Sequence, residues 1–117
     1  MVQVPDVERV ADAGQWAVLA LTGEVDLSLV TRVREAVDEL VADGRVWVVW
    51  DLKRVNFMDS SGVGVLVYTM RSVEEHNGSV RLAGLSGQVR RLLTLTGMDT
   101  EIDCYPDLAS ASDQNLQ

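Results

Sequence analysis

The residues best placed for chemistry are the two adjacent hydroxyls in Met58-Asp59-Ser60-Ser61-Gly62-Val63-Gly64. The stretch follows a β-branched and aromatic run, Val46 to Leu52, and precedes an amphipathic run, Val63 to Glu75. It therefore falls at a strand-to-helix corner, where open sheets carry their binding surfaces. A nucleophilic serine needs a base within hydrogen-bond reach. The one histidine, His76, lies about 22 Å along the helix from Ser61 at ~1.5 Å per residue, and the surrounding residues do not match a Gly-x-Ser-x-Gly elbow. His76 reads instead as a solvated residue near a helix end, where positive charge is mildly favoured. Catalysis by serine is not indicated.

Other site chemistries fare no better. Gly62-Val63-Gly64 lacks the third glycine of a dinucleotide loop, and no Gly-Lys-Ser/Thr follows to cradle a phosphate. Two glycines so early in a helix cost roughly 1 kcal/mol each against alanine. That cost calls for a reason, either close packing on a neighbouring backbone or a flat surface that a partner can approach. Glu24, Asp51 and Asp59 form a conceivable carboxylate set for magnesium, but acidic residues at helix starts are more commonly caps. No cofactor or metal site is expected. For Ser60 and Ser61 the plain reading is likewise helix capping. A hydroxyl there is also a suitable switch, because a phosphate at a helix N-terminus meets backbone N–H groups and the positive end of the dipole. Phosphorylation would add about -1.5 to -2 charge at one surface spot and leave the fold intact.

Composition narrows the partners. The formal net charge of -8, with acidic residues spread along the chain, gives no electrostatic footprint for nucleic acid and none for an anionic membrane surface. Another protein, with basic patches, is the expected partner. Hydrophobic content of 47% and charged content of 24% are those of an ordinary globular chain. Cys104 is alone, which excludes an internal disulfide and fits a reducing cytosol. The first residues do not form a signal peptide, and apolar runs fall far short of the roughly 20 residues that span a bilayer. A soluble, cytoplasmic protein is expected.

The elements that must hold the corner follow from periodicity. Val2 to Val10 and Trp16 to Thr22 read as two strands joined by a turn at residues 11–15. Leu29, Val30, Val33, Ala36, Val37, Leu40 and Val41 recur at helical spacing, with Asp26 or Ser28 as the cap and Gly44 as the stop. Arg45 to Leu52 suits a central strand, and residues 53–58 carry the chain on to the corner. The second helix starts at Asp59 or Ser60, buries Val63, Leu66, Val67, Met70 and Val73, and ends at Asn77-Gly78. Ser79 to Gly84 is a strand. Ser86 caps a third helix with Val89, Leu92, Leu93 and Thr96 inward, closed by Gly97. Thr100 to Tyr105 is the last strand, and Pro106 opens a short terminal helix fraying at Ser112-Asp113-Gln114. Trp16, Trp47 and Trp50 fall on strands and read as core. The order β-β-α-β-α-β-α-β-α predicts an α/β fold with a mixed, mostly parallel sheet of about five strands and about four helices, in one domain over 1–117.

Three motifs, in order, carry a resemblance. Leu21-Thr22-Gly23-Glu24-Val25-Asp26, then Val48-Val49-Trp50-Asp51-Leu52 leading into Val55-Asn56-Phe57-Met58-Asp59-Ser60-Ser61-Gly62, then Val89-Arg90-Arg91-Leu92-Leu93 with Thr96-Gly97-Met98, resemble the anti-sigma factor antagonists of the STAS fold. The resemblance implies a partner-switching regulator. The unphosphorylated antagonist binds an anti-sigma factor and so frees a sigma factor. The anti-sigma factor is also an ATP-dependent serine kinase that phosphorylates the antagonist and ends the complex, and a metal-dependent PP2C-type phosphatase restores it. The family's acceptor, the first serine after Met-Asp, maps onto Ser60. Its docking surface maps onto Gly23, Glu24 and Asp26 of one loop and onto Met58, Asp59, Ser61, Gly62 and Val63 of the corner. Val63 stands where leucine is common, and Gly87 where many members have proline. Other STAS domains, in stress-signalling complexes, transporter tails and lipid-transport systems, keep the fold without a switch at this serine, so a constitutive interaction module is the alternative.

Overall fold

The structure is a computed structural model that describes residues 4–113. It opens with an antiparallel hairpin, β1 (Asp6–Ala13) and β2 (Trp16–Val25), turned at Gly14-Gln15. The sequence places the first strand at Val2 to Val10. Val2 lies outside the described residues, and pairing instead runs on past Val10 to Ala13, opposite Trp16. Then come α1 (Leu27–Ala42), β3 (Trp47–Met58), α2 (Ser60–Glu74), β4 (Ser79–Ala83) and α3 (Gly87–Thr96). A 3-10 turn at Met98–Thr100 precedes β5 (Asp103–Tyr105) and α4 (Leu108–Ala111). The last strand is therefore shorter than the expected Thr100 to Tyr105. Asp107, rather than Pro106, caps α4, accepting from Ser110 N at 2.8 Å. The expected fraying at Gln114 falls on a residue outside those described.

The sheet is mixed, as the alternation of elements requires. Its five strands lie in the order β1-β2-β3-β4-β5, antiparallel only between β1 and β2. Each parallel strand is added on the same side of the one before. Right-handed crossovers then put every crossover helix on the same face. The core follows this arrangement. Leu29, Val33, Val37 and Leu40 of α1, Val65, Leu66 and Val73 of α2, and Val89 and Leu93 of α3 close over Leu19, Trp50, Leu52 and Leu82. The opposite face carries a smaller cluster, with Trp16, Val18, Val49 and Ala83 under Ala111 and Leu108 of α4. Trp16 and Trp50 are core residues of these two faces. Trp47 is half-buried and meets Trp16 edge-on, ring centres 5.4 Å apart.

Two inward assignments shift. In α2 the fully buried positions are Gly62, Val65, Leu66, Thr69 and Val73, whereas Val63, Val67 and Met70 are half-buried at the margin of the core. Apolar residues occupy so much of this helix that spacing alone does not select the face. Thr69 is accommodated inside because its hydroxyl donates to the Val65 carbonyl at 2.7 Å. Thr96 of α3 faces solvent, its hydroxyl donating to Leu92 O at 2.9 Å. Among the described residues no helix is long and apolar enough to cross a membrane.

Candidate functional site

Residues 53–58, which the sequence reads as a connector, are strand. β2 continues beside them, with Thr22 opposite Arg54, Gly23 opposite Val55, Glu24 opposite Phe57 and Val25 opposite Met58. Two register shifts, at Ala20/Thr22 and Gly23/Glu24, let the pairing persist, the second beside Gly23 at φ 82°. The consequence is positional. β2 and β3 end side by side, so α1 and α2 begin side by side, and the loop 23–26 adjoins the corner 58–63. The Asp59 N–H donates to Val25 O at 3.3 Å and ties the two together.

Each helix start has an aspartate cap. Asp26 Oδ1 accepts from Ser28 N at 3.0 Å and from the Ser28 hydroxyl at 2.6 Å. Asp59 Oδ1 accepts from Ser61 N at 2.8 Å, and the Asp59 carbonyl accepts from Gly62 N and Val63 N. Asp59 is therefore the cap, and Ser60 is the first residue of the helix, exposed. The backbone N–H groups of Ser61, Gly62 and Val63, among those a phosphate on Ser60 was expected to meet, are already engaged by Asp59. A phosphate would stand off the helix end beside a carboxylate, so its charge would project to solvent or to a partner.

The Ser28 hydroxyl, with help from its N–H, holds the Asp26 carboxyl below its ordinary 3.8. A depressed carboxyl stabilises the fold above its unfolded value and loses that contribution as pH falls through the folded one. Asp26→Ala is thus expected to lower the urea midpoint at pH 6, and the difference from the unsubstituted protein should shrink as pH falls through the folded value. A difference that persists undiminished at low pH would contradict the cap.

The expected docking residues separate by depth. Glu24 and Ser60 are exposed, and Asp26, Asp59, Ser61 and Val63 are half-exposed. Gly23, Gly62 and Met58 are buried, Met58 to 1% exposure, so these shape the surface from beneath instead of presenting a side chain. The two glycines of the first turn turn out to serve different ends. A Cβ on Gly62 would lie 2.4 Å from Met58 Cγ and 3.2 Å from Val25 Cγ1, while one on Gly64 would meet nothing within 4 Å. Gly62→Ala is therefore expected to cost about 1–2 kcal/mol by overpacking, and Gly64→Ala to gain about 0.5–1 kcal/mol by helix propensity. Chemical denaturation checks both, and equal signs would contradict the assignment.

Some surface residues escape sequence reasoning. Leu27, directly after the Asp26 cap, is 73% exposed, and Phe57, opposite Glu24, is 39% exposed. An apolar residue beside a cap is the only signal the sequence offers. Gln88 is another: its side chain bonds both backbone polar groups of Met58. Asp51, by contrast, lies six residues back along β3 from Phe57, about 20 Å at ~3.3 Å per residue, and its Oδ1 accepts from Lys53 N. Among the described residues no three His, Cys, Asp or Glu side chains gather as a metal site. His76 Nδ1 sits 3.2 Å from Ser72 O at the far end of α2.

Comparisons with known proteins agree with this architecture. Residues 3–111 match the STAS domain family model. The chain is 36% identical over 83 residues to the anti-sigma-B factor antagonist of Bacillus subtilis (strain 168), spanning 71% of this chain and 75% of that one. It is similar to the solved structure of an anti-sigma factor antagonist from Mycobacterium paratuberculosis, with 28% identity, a TM-score of 0.77, and coverage of 92% and 89%. It is also similar to the phosphorylated form of the Bacillus cell fate determinant SpoIIAA, with 26% identity, a TM-score of 0.68, and coverage of 92% and 96%.

Proposed function

Since the chain belongs to the STAS domain family and falls among its anti-sigma factor antagonists, we propose that it is a partner-switching regulator with Ser60 as the switch. Its unphosphorylated form binds an anti-sigma factor and thereby frees a sigma factor. One observation carries the reading: an exposed serine stands directly after an aspartate cap, where two helix starts meet. That a relative has been solved in a phosphorylated form supports it.

The corner provides a hydroxyl but no phosphoryl donor, and the one histidine, His76, lies at the other end of α2. The catalytic groups must therefore come from the partner. The anti-sigma factor acts as the kinase: Ser60 Oγ forms a bond to the γ-phosphorus of ATP, the bond to ADP breaks, and the hydroxyl proton passes to a base of the kinase. This protein is the substrate and not an enzyme. A PP2C-type phosphatase returns it to the binding form. Docking uses the exposed rim, Glu24, Asp26, Asp59, Ser61 and Val63, with Leu27 and Phe57 as apolar contacts and Gly64 allowing close approach. The acidic residues suit a partner with basic patches. A dianion added at the centre of that rim meets the kinase's own nucleotide phosphates, and repulsion ends the complex.

The test is displacement. Added to a preformed complex of sigma factor and anti-sigma factor from the same genome, the purified protein should release sigma, seen as a shift on gel filtration. Failure to displace any such sigma factor would refute the proposal and favour a constitutive interaction module.

A further inference from the structure

We propose that Gln88 is a positioning residue for the acceptor serine, acting through the backbone of Met58. β4 ends at Ala83, opposite Asp51, whereas β3 runs on to Met58, so the end of β3 extends beyond its neighbour on that side. Backbone N–H and C=O groups at such a half-buried edge need partners. The Gln88 amide supplies both. Met58 N donates to Gln88 Oε1 at 2.8 Å, and Gln88 Nε2 donates to Met58 O at 2.8 Å. One side-chain amide, with a donor and an acceptor side by side, thus reproduces the pair of bonds a further strand residue would make.

The placement of this clamp gives it a role at the site. Met58 immediately precedes the Asp59 cap, whose own N–H is held from the opposite side by Val25 O. The peptide leading into Ser60 is therefore gripped from two directions, by β2 and by the first turn of α3. That turn is itself fixed, because Ser86 Oγ accepts from Val89 N at 3.3 Å. Gln88 touches no reacting atom. It fixes where the helix starts, and hence where the Ser60 hydroxyl points when a kinase must align it for in-line transfer.

The inference rests on the reading of Ser60 as acceptor, and its first test does not. In the full chain labelled with nitrogen-15, Gln88→Ala should raise hydrogen exchange at the Met58 amide roughly tenfold or more, as loss of a half-buried hydrogen-bonded pair implies, while Val49 in the core stays unchanged. Gln88→Glu keeps the acceptor and loses the donor at neutral pH, so it should fall between. With the anti-sigma factor kinase that modifies the unsubstituted protein, Gln88→Ala should lower kcat for Ser60 phosphorylation roughly tenfold with KM little changed. Unchanged Met58 exchange overturns the clamp. Faster Met58 exchange with an unchanged kcat overturns the positioning role. Acceleration of Val49 together with Met58 means general destabilisation and also overturns it. A wild-type protein that no kinase modifies defeats the reading of Ser60 and the positioning role with it, while exchange at Met58 still decides the clamp.

Discussion

Ser60→Asp is expected to weaken binding to the anti-sigma factor about 100-fold or more, whereas Ser60→Ala should bind within a few fold of the unsubstituted protein. Ser60 is exposed at the centre of the rim and Asp59 carries the cap, so neither substitution removes a hydrogen bond that the fold depends on. Aspartate places a carboxylate where a nucleotide-bearing partner must dock, and like charges brought together in an interface cost several kcal/mol. Far-UV circular dichroism should be the same for all three proteins, with stabilities within about 1 kcal/mol. Calorimetric titration reads the affinities. If Ser60→Asp bound as tightly as the unsubstituted protein, the domain would be a constitutive module.

The second large effect is remote from the site. Gly78→Ala is expected to destabilise the fold by about 3 kcal/mol and to lower the melting temperature by about 10 °C. A Cβ at this position would lie 2.0 Å from the Val46 carbonyl oxygen and 2.8 Å from its carbon. These are backbone atoms at the start of β3, and the same carbonyl accepts from Ser79 N at 2.9 Å as β4 begins beside it. Neither strand can give way without disturbing the pairing of Trp47 with Ser79. A loss below 1 kcal/mol would mean that the α2–β4 connection does not cross β3 so closely.

Gly78 also marks what the sequence reveals and what it conceals. Asn77-Gly78 is legible as a helix stop, yet it is Asn77 that adopts the positive φ, 61°, while Gly78 is required by close approach to Val46. Local signals of this kind served well wherever a single contact decides the outcome. The caps at Asp26, Asp59 and Ser86, and the stops at Gly44 and Gly97, all lie within the choices the residues allowed. So do the element order and the mixed sheet, because each change of period coincides with a turn signal. Features set by distant pairing were less visible. Lys53-Arg54-Val55-Asn56-Phe57-Met58 is charged and polar enough to read as a connector, and it is strand only because β2 runs on beside it to Val25. Likewise Met58 and Gly62 belong to the corner in sequence but lie beneath its surface, since the first is buried and the second rests on it. Gln88 gave no signal at all. Its role depends on α3 being folded back against the end of β3, thirty residues away in sequence.

The most direct measurement is intact mass after incubation with ATP, magnesium and each anti-sigma factor kinase of the same genome. A gain of one phosphate is expected with the cognate kinase, abolished in Ser60→Ala and still present in Ser61→Ala. No gain with any of them, or a gain that survives in Ser60→Ala, would contradict the assignment of Ser60 as the switch.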